Sequence, residues 1–430
     1  MQVFRGQFKI KEKVLALGSE SDGNFSFYDG KKVYFSDSFG DLLDEDNFKK
    51  FTVAVNDFIA KNDAPNVVIT DLHPLFRTTK WGKELAENYD AKFIQIQHHH
   101  AHVFSAVGDY CLGGRTSREV GPPQQFLGIA CDGTGYGLDE KIWGGEVFRI
   151  SNFQFPISNK NQIKIERIGK LEDQTLIGGE LAIKEPVRML ISILSKCMEK
   201  SEVYSFVKEY YDKNELELLW NQWQEGFNCL ETSSAGRVLD AVSVLLGFSP
   251  NERPYKHAPI NLLEKNSGKP YEIEPVISSL SSRVPGSETE RSLENCEKRF
   301  FNSSFQEVAQ NDNLLELQTT ELFKYLIQNL DKDKRRLAAT VQIYLAKGLW
   351  EIILCHSGLD PEFIQKGLDS RSGSGMTIPV FFAGGMANNK IMSKYLSSKG
   401  VIVSKEIPRG DAGLSVGQLF YYLLSFRTIH

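Results

Sequence analysis

The chain has few cysteines, and they form no recognisable motif. Its 430 residues include six, which are widely scattered: Cys111, Cys131, Cys197, Cys229, Cys296 and Cys355. No two stand in a CxxC pair, so the sequence offers neither a zinc-ribbon spacing nor the framework of a disulfide-stapled domain. We expect reduced and mostly buried thiols.

Long apolar runs and an excess of positive charge are also lacking. Nowhere do about 18 uncharged apolar residues run together, and residues 1–17 lack the apolar core and small-residue cleavage site of a signal peptide. The sequence therefore predicts a cytoplasmic protein without a membrane partner. The formal net charge of −5 gives no electrostatic footprint for nucleic acid, so a nucleic-acid partner is not expected.

The rest of the composition is that of a globular protein. Hydrophobic residues make up 41% and charged residues 24% of the chain, both near the globular average. A chain of this length is long enough for two or three domains with a sizeable core.

Four histidines in five residues stand out: His98, His99, His100 and His102. They follow a strand-like run and open a predicted helix, which is the junction where α/β proteins place their chemistry. His98 and His102 stand at i and i+4 on one helix face, the spacing that lets two imidazoles reach one metal ion. The pattern favours a metal site, although two ligands do not complete one. A solvated helix start or a set of hydrogen-bonded side chains is the alternative.

Strand-like and helix-like segments alternate along the chain. Three short strands joined by glycine turns predict an antiparallel meander from residue 14, followed by the alternation of a βαβ sheet. A second set of strands begins after a Gly- and Pro-rich connection at 113–125, and its strand–turn–strand theme resembles the first. The predicted fold class is α/β, with two domains of similar topology.

Two glycine-rich turns are candidate nucleotide contacts. Asp132 ends a predicted buried strand, where a carboxylate needs a partner or a metal, and the glycines after it let backbone N–H groups approach a phosphate. A second apolar strand ends in Gly384 and Gly385, and Asn388 is expected to cap the helix that follows. A plain glycine turn is the alternative at both places.

Three further segments have two interpretations each. Asp411 is either the N-cap of the last helix or the closing ligand of the metal site. Ser234 begins a helix as a cap and is also a candidate contact to a bound group, whereas Arg237 and Asp240 in that helix are expected to be structural. Lys184 and Arg188, which follow a Gly178–Gly179 turn, face either phosphate or water.

Seven motifs follow one another along the chain: DLHPLFRTTKWG (which contains Asp71, His73 and Pro74), QHHHAH, DGTGYG with WGGE, GGELAIKEPVRM, SSAGRVLDAVSVLLG, AGGMANN and GDAGLSVGQ. In this order they resemble the C-terminal carbamoyltransferase domain of the HypF family of hydrogenase maturation proteins. The resemblance spans essentially the whole chain. It implies an ASKHA fold, meaning two actin-like or sugar-kinase-like α/β domains with a nucleotide in the cleft, related to the universal tRNA threonylcarbamoyl transferase.

The resemblance also implies domain boundaries. Residues 1–13 would be a lead-in, and 14–124 the first actin-like domain, completed by a C-terminal helix at about 409–430. Residues 125–408 would form the second domain, with a variable insertion at about 264–315.

The resemblance implies a reaction and a site. The domain would move a carbamoyl group from carbamoyl adenylate to the C-terminal cysteine thiol of a HypE-like acceptor protein. The implied metal ligands are His98, His102, Asp132 and Asp411, the first three also being catalytic. The metal would be iron or zinc, with magnesium a further candidate at the nucleotide. The residues expected at the AMP moiety, which derives from ATP, are Gly133, Thr134, Gly135, Gly178, Gly179, Ser234, Gly384, Gly385 and Asn388.

The chain departs from the family pattern in several places. Lys256 and His257 stand where the family has Glu-Gly, Glu180 replaces an aspartate, and Met386 and Ala387 alter the nucleotide loop. The family also contains a YrdC-like adenylating domain, to which none of these motifs belongs, so the resemblance implies that a separate YrdC-like domain or protein supplies the adenylate. The alternatives are an O-carbamoyltransferase acting on a small-molecule hydroxyl and a non-catalytic nucleotide-binding subunit of a maturation complex.

Overall fold

The structure is a computed structural model that describes residues 1–5, 8, 10–112, 123–153, 162–279, 314–357 and 378–425. Most of the expected connection at 113–125 and of the expected insertion at 264–315 lies outside these ranges, as do residues 426–430 of the expected C-terminal helix. The domain boundaries given above stay predictions.

The first sheet has six strands in the order β1-β4-β3-β2-β5-β6. The strands are β1 (Gln2–Arg5), β2 (Val14–Ala16), β3 (Ser26–Tyr28), β4 (Lys32–Phe35), β5 (Val67–Asp71) and β6 (Lys92–Ile96). Strands β2, β3 and β4 form the predicted antiparallel meander, and β2, β5 and β6 run parallel. The lead-in prediction missed β1, because this edge strand forms by pairing with β4 and carries no pattern of its own.

Two helices connect strands of this sheet, α1 (Glu45–Asn62) and α2 (Arg77–Asn88), and a third, α3 (His98–Leu112), leads from β6 to the second sheet. The Asp44 carboxylate caps α1 by accepting a hydrogen bond from the backbone N–H of Asn47, as an N-cap aspartate does. Phe51, Val55 and Ile59 recur at helical spacing and pack with the sheet residues of one buried apolar cluster. Helix α3 begins two residues after β6 ends, which confirms the predicted strand–helix junction at the histidines.

The second sheet has nine strands: β7 (Gln125–Tyr136), β8 (Ile142–Phe153), β9 (Gln162–Leu171), β10 (Gln174–Ile177), β11 (Cys229–Thr232), β12 (Ile277–Ser279), β13 (Leu315–Leu317), β14 (Val380–Ala383) and β15 (Ile402–Val403). The predicted hairpin of β7 and β8 is antiparallel, and β14 lies parallel to β7 on its other side. Strands β12 and β13 pair with each other, so residues 277–279, which lie inside the segment predicted as a variable insertion, belong to the second sheet.

Helices cover the second sheet: α4 (Leu181–Lys184), α5 (Pro186–Ser195), α6 (Lys200–Val207), α7 (Lys213–Glu225), α8 (Ala235–Leu245), α9 (Ala258–Lys265), α10 (Thr319–Ile327), α11 (Lys334–Ser357) and α12 (Lys390–Ser398). Residues 334–356 are long and apolar enough to span a membrane by length and composition, but 78% of the apolar window is buried. Leu337, Val341 and Leu345 belong to the largest apolar cluster. This packing accounts for the helix as a core element.

Helix α3 and the last helix, α13 (Leu414–Ser425), lie between the two sheets. Leu414 and Leu419 pack with first-sheet residues, whereas Val416 and Phe420 pack in a cluster with residues of β7 and β14. The two helices touch closely at Gly417, where a Cβ would lie 1.7 Å from the carbonyl oxygen of Ala101. This contact holds the turn before α13 beside the first turn of α3, where the histidines are.

Candidate metal centre and nucleotide cleft

His98 and His102 lie side by side in the first turns of α3. Their Nε2 atoms are 3.0 Å apart, and both residues are almost fully buried. The i, i+4 spacing predicted this approach. At this distance the two rings either share one proton in a hydrogen bond or both turn a lone pair toward a common centre.

Asp132 supplies the first carboxylate. Its Oδ2 lies 3.3 Å from Nε2 of His98 and 3.4 Å from Nε2 of His102. The sequence placed Asp132 at the end of its strand, and this was wrong, because β7 continues to Tyr136. The pairing with β8 is irregular between Cys131 and Gly135, and such an irregularity aims a side chain out of the regular alternation.

Asp411 supplies the second carboxylate, from a short 3₁₀ turn at Asp411–Gly413. Its Oδ1 lies 3.4 Å from Nε2 of His98 and 3.5 Å from Nε2 of His102. Within the described residues, this buried oxygen has no hydrogen-bond partner. Of the two interpretations of Asp411, the geometry favours the ligand. The carboxylate of Asp109 anchors the preceding loop by accepting hydrogen bonds from the backbone N–H groups of residues 405–407.

The donor set fits a divalent cation. One ligand atom from each of His98, His102, Asp132 and Asp411 lies within 4.8 Å of the other three. A tetrahedral zinc site with ligands at about 2.0–2.1 Å has edges of about 3.3–3.4 Å, and the four histidine–carboxylate separations of 3.3 to 3.5 Å are close to this value. Two buried carboxylates and two imidazoles also form a donor set that iron and zinc accept.

Asp71 orients one of these ligands, and the sequence alone gave it no role beyond its place in a family motif. Its Oδ2 lies 2.7 Å from Nδ1 of His98, at the end of β5. A carboxylate on the far nitrogen fixes the ring and leaves Nε2 to face the centre. Burial of His98 opposes its protonation, but the Asp71 charge and the other carboxylates outweigh this and raise its pKa well above the usual value.

Lys256 and Ser21 contact the outer oxygen of Asp411, and sequence reasoning missed both contacts. The Lys256 ammonium lies 2.6 Å from Oδ2 of Asp411 and donates to the Ser21 hydroxyl at 2.7 Å. Ser21 donates in turn to the same Oδ2. Burial would raise the pKa of Asp411, but the Lys256 charge and the two histidines hold it well below its usual range. The departure from the family pattern at Lys256 thus lies at the centre itself.

The other two clustered histidines face elsewhere. Nδ1 of His99 is 3.1 Å from the side-chain amide of Gln97. The His100 ring packs edge-on against Phe148, and burial lowers the pKa of His100 to about 3. His99 is thus a hydrogen-bonded side chain, the alternative that the sequence left open for the cluster, whereas His100 is a buried ring packed in an apolar contact.

The first predicted nucleotide loop adjoins the centre. A Cβ on Gly135 would lie 2.4 Å from Cε1 of His99 and 2.8 Å from Cδ2 of His98, so this position requires glycine for close approach. Thr134 is exposed between Gly133 and Gly135. Ser234 caps α8, as one interpretation predicted, and its hydroxyl donates to the carbonyl of Gly133 at 2.6 Å.

The second predicted loop lies on the other side of Asp132. The backbone N–H of Gly385 donates to Oδ1 of Asp132 at 3.2 Å, and Gly384 has a positive φ of 89°. The prediction that Asn388 caps the next helix was wrong: Asn389 accepts from the backbone N–H groups of residues 391 and 392. The exposed Asn388 instead lines a depression together with Gly385 and His257.

Gly178 and Gly179, which were also predicted to contact the nucleotide, belong to a turn apart from the two glycine loops. They form the turn after β10, with φ values of 84° and 59°, and their nearest side chains include Arg188, Leu181 and Asn228. Arg188 is paired with Glu185 at 2.6 Å. No contact of this turn with the four-residue centre occurs within the described ranges, so its nucleotide role stays a prediction.

Comparison with solved structures defines the class. A crystal structure of full-length HypF in its phosphate- and nucleotide-bound form matches 98% of this chain with a TM-score of 0.72 and 23% identity, over 57% of that chain. The crystal structure of T. kodakarensis HypF matches 98% of this chain with the same TM-score and 25% identity, over 49% of that chain. The protein is thus a two-sheet α/β protein of the ASKHA type.

Family models and curated sequences define the family. Residues 9–109 match the HypF Kae1-like domain, and residues 128–418 match the second subdomain of the carbamoyltransferase Kae1-like domain. The chain belongs to the family of HypF Kae1-like domains.

Two curated relatives show the extent of the match. A probable carbamoyltransferase HypF of Methanocaldococcus jannaschii is 31% identical over 96% of this chain and 46% of its own length. A carbamoyltransferase HypF homolog of Cupriavidus necator is 28% identical over 58% of each chain. The chain thus spans about half the length of the M. jannaschii relative.

Proposed function

We propose that this protein is a metal-dependent carbamoyltransferase of hydrogenase maturation. It would move the carbamoyl group of carbamoyl adenylate to the C-terminal cysteine thiol of a HypE-like acceptor protein. The observation that carries the proposal is the convergence of His98, His102, Asp132 and Asp411 between two glycine loops. The names of the relatives support the carbamoyl chemistry.

The four residues would hold iron or zinc, with magnesium a further candidate at the nucleotide. When bound, such a cation supplies Lewis acidity, which stabilises negative charge on the phosphate and carbonyl oxygens of a mixed anhydride. The chain's own residues hold the ligands in place: Asp71 fixes the His98 ring, and the Gly385 N–H fixes the Asp132 carboxylate.

The two glycine loops would bind the AMP moiety of the donor. Backbone N–H groups at Gly133, Gly135, Gly384 and Gly385 can approach phosphate closely because no Cβ stands in the way. Thr134, Asn388 and Ser234 flank these loops, and we propose the Gly178–Gly179 turn as a more distant contact to the same nucleotide. Holding the anhydride in one orientation is the main contribution that such a site makes to transfer.

The nucleophile would come from the partner. Cys131, next to Asp132 in the chain, is completely buried, so it is inaccessible to a donor in the cleft. A partner's exposed thiolate is the stronger candidate, because the thiolate is the reactive form of cysteine. We also propose that a separate YrdC-like domain or protein makes the adenylate, and that the protein acts in the cytoplasm without membrane or nucleic-acid partners.

The test is a reconstituted transfer. The purified chain is mixed with a YrdC-like protein, ATP, carbamoyl phosphate and a HypE-like acceptor, and mass spectrometry measures carbamoylation of the acceptor's C-terminal cysteine. His98→Ala and His102→Ala should abolish transfer and bound metal while keeping the melting temperature close to that of the parent. His100→Gln, on the same helix but outside the centre, is the matched control and should keep both.

Three results would overturn the proposal. Full activity and stoichiometric metal in both alanine variants would show that His98 and His102 are not the metal ligands. Transfer to a small-molecule hydroxyl, with none to the acceptor protein, would replace the proposed acceptor by the O-carbamoyltransferase alternative, and AMP release that never depends on this chain would leave only a nucleotide-binding subunit.

A further inference from the structure

A second charged cluster lies beneath the first glycine loop. Arg237, in the first turn of α8, places Nη2 3.0 Å from Oδ2 of Asp240. Nε of Arg253, in the segment between α8 and α9, lies 3.8 Å from the same oxygen. The exposed fractions of these side chains are 2% for Arg237 and Asp240 and 8% for Arg253. Two guanidinium groups thus share one carboxylate inside the protein.

This cluster is not satisfied by the groups around it. In the described part of the chain, Nε and Nη1 of Arg237 and Nε of Arg253 are buried without a hydrogen-bond partner, and neither oxygen of Asp240 has one either. Burying charged donors without hydrogen-bond partners strongly destabilises a folded protein in general. A purely structural ion pair would satisfy its donors, so the unpaired donors point to a missing anionic partner.

The cluster adjoins the loop that we assign to the donor nucleotide. Nη2 of Arg237 lies 3.2 Å from the position that a Cβ on Gly133 would take, and a Cβ on Gly236 would lie 2.8 Å from the Cα of Gly133. Two glycines therefore let the guanidinium approach the backbone next to Asp132. An anion held here would lie close to the carboxylate end of the metal centre.

The local charge balance agrees with this. Burial and the neighbouring Arg237 charge together lower the pKa of Arg253 to about 10, against the opposing effects of Asp240 and Asp132. Asp132 is also a candidate metal ligand, and a bound cation would take up its charge. The two guanidinium groups would then face Asp240 alone, with one positive charge in excess.

We propose that Arg237 and Arg253 form an oxyanion subsite that binds a phosphate group, with Asp240 as the shared counter-ion of the two guanidinium groups when the subsite is empty. The proposal rests on the proposed function only for the source of the phosphate, which would be the phosphoryl group of the nucleotide or free inorganic phosphate. Arginine suits this role because its planar donors match the tetrahedral oxyanion.

The experiment is calorimetric titration of the full chain with inorganic phosphate and, separately, with AMP. Arg253→Gln should weaken binding by about tenfold or more, since it removes a charged hydrogen bond, and Arg253→Lys should restore part of it. Asp240→Asn should tighten binding, because the carboxylate that competes with the anion is gone. Arg336→Gln, which removes an arginine stacked on Tyr271, is the control and should bind like the parent.

The outcomes separate this proposal from the proposed function. The subsite would be overturned if Arg253→Gln bound phosphate as tightly as the parent does, and likewise AMP, with both proteins folded by circular dichroism. This holds even if carbamoyl transfer occurs. Weaker binding in both Arg253→Gln and Asp240→Asn would indicate a structural cluster and would also overturn it. Arginine-dependent binding without any carbamoyl transfer would support the subsite and count against the transferase. Tighter binding of AMP than of phosphate would identify the nucleotide as the source.

Discussion

The carboxylate of Asp71 lies 2.7 Å from Nδ1 of His98, on the side of the ring opposite the candidate metal centre. Both residues are buried, with side-chain exposures of 1% and 4%. Asp71 ends β5 and His98 begins α3, so two consecutive strand ends of the first sheet bring them together. The contact fixes the direction in which Nε2 of His98 points.

Asp71→Asn should therefore weaken metal binding while leaving all four ligands present. Replacing the carboxylate that accepts from a metal-binding histidine by a weaker acceptor typically lowers metal affinity about 10–100-fold. Competition with a chromophoric chelator measures this affinity. Asp57→Asn, an exposed change on α1, is the control, and equal affinities in the two variants would contradict an orienting role for Asp71.

Gly135→Ala should displace the histidines. The new methyl group would lie within 3 Å of ring atoms of both His98 and His99, closer than nonbonded contacts allow, so the rings must shift. We expect loss of stoichiometric metal by elemental analysis, with a destabilisation of about 1–3 kcal/mol in chemical denaturation. Gly268→Ala, where the nearest atom is 3.7 Å away, should keep both properties. Full metal content in Gly135→Ala would show that the loop does not press on the ligands.

Lys256→Met should increase metal affinity. The ammonium contacts the outer oxygen of Asp411 and repels a cation bound at the inner one. Because the lysine side chain is 47% exposed, solvent screens this effect, and we expect a gain of about fivefold that shrinks as salt is added. Lys256→Arg should bind metal like the parent. Unchanged or weaker affinity in Lys256→Met would show that the lysine does not oppose the metal.

Asp173 should make stability depend on acid pH. Burial opposes ionisation of this carboxyl, but the Lys170 and Lys141 charges outweigh it and lower its pKa from 3.8 to about 2. Because the folded-state pKa is the lower one, the stabilisation is complete above about pH 4 and disappears as pH falls toward 2. Asp173→Asn should thus cost about 2 kcal/mol at pH 7 and almost nothing at pH 2.

Urea denaturation at both pH values measures this difference. Asp63→Asn, which changes a carboxylate that is 82% exposed and paired with Lys13, should stay within about 0.5 kcal/mol of the parent. A cost for Asp173→Asn that is the same at pH 7 and pH 2 would contradict the assigned ion pair.

Much of the local structure could be predicted from the sequence. The i, i+4 spacing of His98 and His102 required only a helix, and the apolar residues after them supplied it. The meander and the β7–β8 hairpin followed from alternation and glycine turns. The strand irregularity at Asp132 and the cap at Asn389 could not be predicted from these patterns, because both depend on how a neighbouring strand or helix packs.

The sequence by itself determined which residue types were available: a histidine pair on one helix face, carboxylates beside glycines, and the order of motifs that marks the family. Only the tertiary structure decided that Asp411 would meet residues more than 300 positions earlier in the chain, that Asp71 would orient His98, and that Lys256 would contact the centre. The physical reason is that local spacing acts over one or two turns, whereas these contacts arise from two helices packed between two sheets.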